Sequence, residues 1–338
     1  MSDYLWDPSD TPEPDIERLE ALLRPLQTKR PAPPLPSALR PTRWLTPRFL
    51  APALGVAASV LVMVGATWQA SSQSSAWTIA RLSGDPRVDS SSIGAGAHLA
   101  VGQAIVTDAA SRARIDVDGL GEVTVDANSR VRLVESGSAR YLLALDRGTL
   151  RAIIVAPPGQ FVVDTPSARA TDLGCAYTLH VDEDGLGLLS VQAGWVAFEF
   201  NGKTGRGESF VPAGASCRTV PRDGPGTPRF DDSEQAFQDS LDEVDFGGDA
   251  TKTGASLDYV LQHARPRDAM TLWHLVSRVD APRRGEVVDA LAARVPMPKG
   301  VDRDAVMRLD RASLDTWWNA LGLDDASWWR TWKRAYPR

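Results

Sequence analysis

The chain has 338 residues, enough for two or three domains. It carries 43 acidic and 37 basic side chains, a net charge of −6, which argues against direct binding to nucleic acid. Two cysteines are few, and the four histidines, His98, His180, His263 and His274, fall into no metal-ligand spacing.

Residues 1–28 hold seven acids and two bases. Within them PDIERLEALLRPL predicts one short amphipathic helix, with Ile16, Leu19, Leu22, Leu23 and Leu26 near one face. Asp15 is placed to cap it and Pro25 to end it. Leu5 and Trp6 add apolar surface upstream. A helix of about three turns is marginal alone in water, so the stripe needs a protein partner. Residues 29–48 follow as a linker rich in proline and arginine. Pro31, Pro33, Pro34, Pro36, Pro41 and Pro47 make it a stiff, extended tether.

No residue from Phe49 to Ala80 is charged. Residues 49–69 are therefore expected to form a transmembrane helix, since roughly 20 apolar residues cross a bilayer core of about 30 Å. The stretch is apolar all round and lacks the one-sided stripe of a surface helix. It starts too late for a cleaved signal peptide. The 20 residues before it carry Lys29, Arg30, Arg40, Arg43 and Arg48, whereas residues 69–88 carry only Arg81, Arg87 and Asp85. The positive-inside rule then places the N-terminus in the cytoplasm. The expectation is a single-pass protein of a bacterial inner membrane, in contact with its lipid, with the C-terminal part in the periplasm.

From residue 70 to residue 229 the pattern predicts a mainly β exported domain, a sandwich or roll of many short strands. Ala113, Ile115 and Val117 alternate with Arg112, Arg114 and Asp116, and later runs repeat the theme up to Val196, Phe198 and Phe200. Turns are expected at Asp118-Gly119, Arg147-Gly148, Asp184-Gly185 and Asn201-Gly202. Cys175 and Cys217 both fall here. An oxidising compartment permits a disulfide between them, and two separate buried thiols are the alternative.

The run QFVVDTPSARATDLGCAYTLHVDEDGLGLLSVQAGWVAFEF resembles the core of the FecR-domain family. Val163, Thr165, Pro166 and Ala168 match its V-x-T-P-x-A element. Gly174, Tyr177 and Val181 match G-T-x-F-x-V, and Val191, Gly194 and Val196 match V-x-V-x-x-G-x-V. Upstream, the strands beginning at Ile105 and at Tyr141 are similar to the family's repeating strands. Cys175 stands where the family usually has threonine, a departure that suits a bridge to Cys217. The physical reading of these positions is structural: Pro166 suits a strand edge, and the glycines suit bends or close backbone approach. The resemblance implies a single-span membrane regulator of an extracytoplasmic-function sigma factor. The arm would bind the sigma factor through Trp6, Ile16, Leu19, Leu22 and Leu23. The outer domain would receive a signal from an unknown periplasmic or outer-membrane partner.

Residues 230–254, with eight acids between residues 230 and 251 and no base there, read as a solvated acidic linker holding one short helix. Residues 255–338 read as a C-terminal helical domain rich in tryptophan, punctuated by Pro266, Pro282, Pro296 and Pro298. Its indoles can fill a small bundle core. The sharper expectation is a partner surface at Trp317, Trp318, Trp328 and Trp329.

No nucleophile elbow, phosphate-binding glycine loop or H-E-x-x-H is present, so no enzyme and no cofactor are expected. The leading expectation is thus a transmembrane signalling regulator of anti-sigma type. The competing one is a membrane-anchored periplasmic scaffold or binding module with no sigma-factor role.

Overall fold

The computed structural model describes residues 76–323, apart from residue 118, residues 138–139 and residues 201–206. The arm, the linker, the apolar segment 49–69, the Asn201-Gly202 pair and Trp328 and Trp329 lie outside the described residues. Among the described residues no helix is long and apolar enough to cross a membrane.

Thirteen strands carry the β domain: β1 (Trp77–Ser83), β2 (Ala104–Val106), β3 (Arg112–Asp116), β4 (Gly121–Val125), β5 (Arg130–Gly137), β6 (Arg140–Ile154), β7 (Phe161–Asp164), β8 (Arg169–Asp172), β9 (Cys175–Val181), β10 (Gly187–Ala193), β11 (Trp195–Glu199), β12 (Glu208–Pro212) and β13 (Ala215–Val220). Several two-residue strands extend the edges. The first sheet runs β1–β3–β4–β6–β9–β10–β13. The second runs β2–β5–β6–β7–β8–β11–β12. Every one of these pairings is antiparallel except β6 with β7. Hairpins alternate between the layers, so the period-two pattern buries one side of each strand in a shared core. Ile115, Val123, Leu150, Leu179 and Leu189 meet Val131, Leu143, Phe161, Val163 and Phe198 there, all fully buried.

β6 belongs to both sheets. Its N-terminal half pairs with β5 and β7, and its C-terminal half pairs with β4 and β9. The expected turn at Arg147-Gly148 is therefore not a hairpin but a mid-strand bend. Gly148 takes φ +91°, and a Cβ there would lie 2.4 Å from the Ser129 Cα. Ser129 Oγ replaces the local ladder by accepting from the Thr149 amide at 2.8 Å and donating to the Thr149 carbonyl. The Asp184-Gly185 pair does close a hairpin, between β9 and β10.

Six α-helices follow: α1 (Gln235–Phe246), α2 (Ala250–His263), α3 (Ala269–Val276), α4 (Ala281–Arg294), α5 (Arg303–Met307) and α6 (Arg311–Asn319). The acidic run is not a solvated linker. α1 buries Phe237, Leu241 and Asp245, and α2 already begins at Ala250 with Asp249 capping the Thr251 and Lys252 amides. Its acids find cations on the β domain. Asp242 takes Arg218 of β13 and Arg229, each at 2.7 Å. Asp245 accepts from the Thr227 amide and hydroxyl, and lies 3.9 Å from Arg278, with both side chains 2% exposed. Arg278 donates in turn to the Pro225 carbonyl and to Ser209 of β12. The helices are thus fastened to the sandwich by a buried polar network.

Candidate functional site

The motif residues gather at the two ends of the sandwich. At one end the chain crosses between sheets twice within a few ångströms. β8 passes to β9 through Leu173-Gly174, and β10 passes to β11 through Gly194 alone. Gly174 and Gly194 both take positive φ, +89° and +73°. A Cβ on Gly194 would stand 2.2 Å from the Gly174 carbonyl oxygen, so only glycine lets the two crossings stack. Asp172 secures the first crossing. Its carboxylate accepts from the Gly174 amide at 2.6 Å and from the Cys175 thiol at 2.7 Å. Burial pushes the Asp172 carboxyl up to about 6, against the opposing pull of the Cys175 thiol and the Gly174 amide. Burial, then the charge of Asp172, drives the Cys175 thiol far above its usual range. Tyr177 is fully buried beneath them, and its hydroxyl has no hydrogen-bond partner among the described residues.

The expected disulfide is absent: both cysteines are free and buried. Register explains why. Leu189 of β10 lies opposite both Leu179 of β9 and Cys217 of β13. Cys217 is therefore two strands from Leu179, and Cys175 is four residues further along β9. That places their Cα atoms roughly 16 Å apart on an ordinary sheet lattice, against a limit of about 7 Å for a bridge. Cys217 instead donates to the Gly226 carbonyl at 3.2 Å, and burial pushes its thiol up to about 12. Cys175 does for Asp172 what a threonine hydroxyl would do at that place, as a small buried donor.

At the other end, Thr165 and Pro166 form the β7–β8 turn. Thr165 Oγ1 accepts from the Ser167 and Ala168 amides and donates to the Ala168 carbonyl. Ser167 reaches across to Thr219 of β13 at 2.6 Å, so this turn pins the second sheet to the first. Pro166 packs beside Gly185 in the β9–β10 turn. Next to that turn opens a polar cleft of about 580 Å³, lined by Asp85, Arg87, Thr107, Asp108, Asn128, Arg147 and Glu183. Arg87 faces Asp85 at 3.5 Å. Asp108 is held below the usual carboxylate range by the Ser111 hydroxyl and the Ala110 amide. The cleft offers charges of both signs to a ligand, and no nucleophile paired with a base.

Residues 103–197 match the family model described as FecR protein. This part of the sandwich is FecR-like. The matched stretch runs from the residue before β2 into β11, so it contains both glycine crossings, the Thr165-Pro166 turn and the bend of β6. Two solved structures of a candidate anti-sigma factor from Parabacteroides distasonis ATCC 8503 are similar to the chain at 18% identity and a TM-score of 0.33. They cover 40% of this chain, which spans 64% and 63% of theirs, less than two thirds. No curated protein matches the chain.

Thr165, Pro166, Gly174, Tyr177 and Gly194 thus sit where the two layers of the sandwich are held together. Sequence reasoning missed Asp172, Ser167 and Thr219. The Asp172-Leu173-Gly174 spacing, an aspartate two residues before a glycine, is the signature that identifies the first of them. Trp317 and Trp318 are not a partner surface, being 0% and 1% exposed. The Trp317 indole N–H donates to the Val295 carbonyl. The Trp318 ring sits 4.8–6.0 Å from those of Trp273, His274, Phe210 and Trp195, the last two belonging to β12 and β11 of the sandwich. His274 completes this junction. Its Nε2 accepts from the Phe210 amide on β12 and its Nδ1 meets the Met270 carbonyl, which fits an imidazole protonated on Nδ1.

Proposed function

We propose that the chain is a single-span regulator that couples an extracytoplasmic signal to a sigma factor, and that it is not an enzyme. The observation that carries this reading is the FecR-domain match at residues 103–197, in a chain whose sequence places a charge-free apolar stretch and an amphipathic arm ahead of it. In this reading residues 49–69 cross the bacterial inner membrane, the arm of residues 1–28 lies in the cytoplasm, and the FecR domain lies in the periplasm. Trp6, Ile16, Leu19, Leu22 and Leu23 grip the sigma factor, and the polar cleft beside Arg147 and Glu183 is where a periplasmic or outer-membrane partner acts. The signal works only if its ligand binds two states of the protein with different affinity.

The test is capture of sigma factors from membranes by the full chain and by Leu19→Asp/Leu22→Asp. We expect the double variant to lose at least about tenfold of the captured sigma factor, the cost of placing two charges in an apolar interface. Equal capture overturns the reading. Deleting residues 2–28 separates it from a scaffold: a scaffold keeps its envelope phenotype and moves no regulon.

A further inference from the structure

The second sheet has two apolar faces. Along β6 and β7, Leu143 and Val163 point into the sandwich, so Leu142 and Val162 point away from it. Both are nonetheless buried, at 7% and 4% exposure. Register carries the row across the sheet: Leu142 opposite Val162, then Thr171, Ala197 and Phe210. Thr171 is 6% exposed, Ala197 0% and Phe210 1%. A continuous buried strip therefore crosses the outer side of five strands. At its β12 end Trp318 lies against Phe210 and Trp195. α6 ends one residue later, and the described chain stops at Leu323, five residues after Trp318.

We propose that the C-terminal segment, residues 324–338, docks along this strip. Its sequence, DDASWWRTWKRAYPR, has Trp328, Trp332 and Tyr336 four residues apart, with Trp329 beside them, a spacing that gathers rings on one side of a helix. Four strand steps from β12 to β6 span about 19 Å. Fifteen residues span about 22 Å as a helix, so the segment has the length of the strip. Charge agrees as well. The next row of the same face carries Asp164, Glu199 and Glu208 with one cation, Arg169, which pairs with Asp164, and the segment carries Arg330, Lys333, Arg334 and Arg338 against Asp324 and Asp325. The partner of the outer face is thus the chain's own end, and the proposal stands independently of the signalling reading.

The test is thiol accessibility in the full chain carrying Leu142→Cys, compared with the same chain ended after Leu323. Cys175 and Cys217 are buried and give a low background. We expect labelling at residue 142 to rise at least about tenfold on truncation, and a peptide of residues 324–338 to restore protection. Unchanged protection in the shortened, still folded chain overturns the proposal. It then assigns the cover to the N-terminal arm if deleting residues 2–28 exposes the site, or to a second copy if protection depends on concentration. Should the shortened chain fail to fold, the full chain carrying Val162→Cys and Trp329→Cys decides. A crosslink under mild oxidation supports the docking, and its absence at every position from 328 to 332 tried in turn overturns it.

Discussion

Gly148 and Asp172 show how single residues hold the two layers in place. Gly148 combines φ +91° with Ser129 atoms where a side chain would have to go. Gly148→Ala should therefore cost at least about 2 kcal/mol, from backbone strain together with displacement of the β5 entry, read as a lower urea midpoint at unchanged slope. The Arg147-Gly148 pair was legible in the sequence as a place needing positive φ. A hairpin turn and a mid-strand bend share that need, and only the long-range pairing of β6 with strands on both sheets separates them. Asp172 leads to a pH effect. Its folded pKa of about 6 lies above the ordinary value of 3.8, so the native state holds its proton more tightly. That contribution is complete below about pH 4 and is lost as pH rises towards and through 6. Asp172→Asn should flatten this part of the stability profile between pH 4 and 6. A wild-type profile that falls no faster than the variant's over that interval contradicts the assignment.

Among the elements, α1 departs furthest from its sequence. Eight acids and no base between residues 230 and 251 read as solvent-facing charge, yet α1 is docked by those acids. Composition is a local property, whereas the cations that receive Asp242 and Asp245 arrive from β13, from Arg229 and from the end of α3. Asp245→Ala leaves Arg278 in a site where both partners are 2% exposed. It should destabilise by about 3–5 kcal/mol, as removal of one member of a buried pair does. Asp239→Ala, on the exposed side of the same helix, should stay within about 0.5 kcal/mol of wild type. Thermal or chemical melts of the two variants side by side measure the contrast. The strands were more readable than the helices, because period-two alternation reports directly which side of a sheet is buried. The helical region was read correctly as helical. Its indoles divide differently: Trp317 and Trp318 close a seam between helices and sheet, which no local pattern could distinguish from an external surface.

For the molecule as a whole, the residues that carry the motif-level resemblance, from Val163 to Val196, fall inside the FecR match at residues 103–197. Gly174 and Gly194 act through backbone geometry at the crossings, and Thr165 acts through hydrogen bonds that shape the β7–β8 turn. The disulfide was the misjudged long-range feature. Compartment and cysteine count permit a bridge, but sheet register keeps the two residues apart. Thiol titration without reductant should therefore find both cysteines unreactive in the native protein and two thiols per chain in denaturant. Fewer than two in denaturant would mean that a bridge exists.

The shared strand β6 has a further consequence for how this domain comes apart. In most sandwiches the layers meet only through side chains, and one sheet can loosen while the other persists. Here the same fifteen residues supply ladder bonds to the middle of both layers. Fraying that reaches the centre of one layer must draw the common strand out of the other. The two sheets therefore form one cooperative unit, in which partial opening is confined to the edges and the core is either intact or lost.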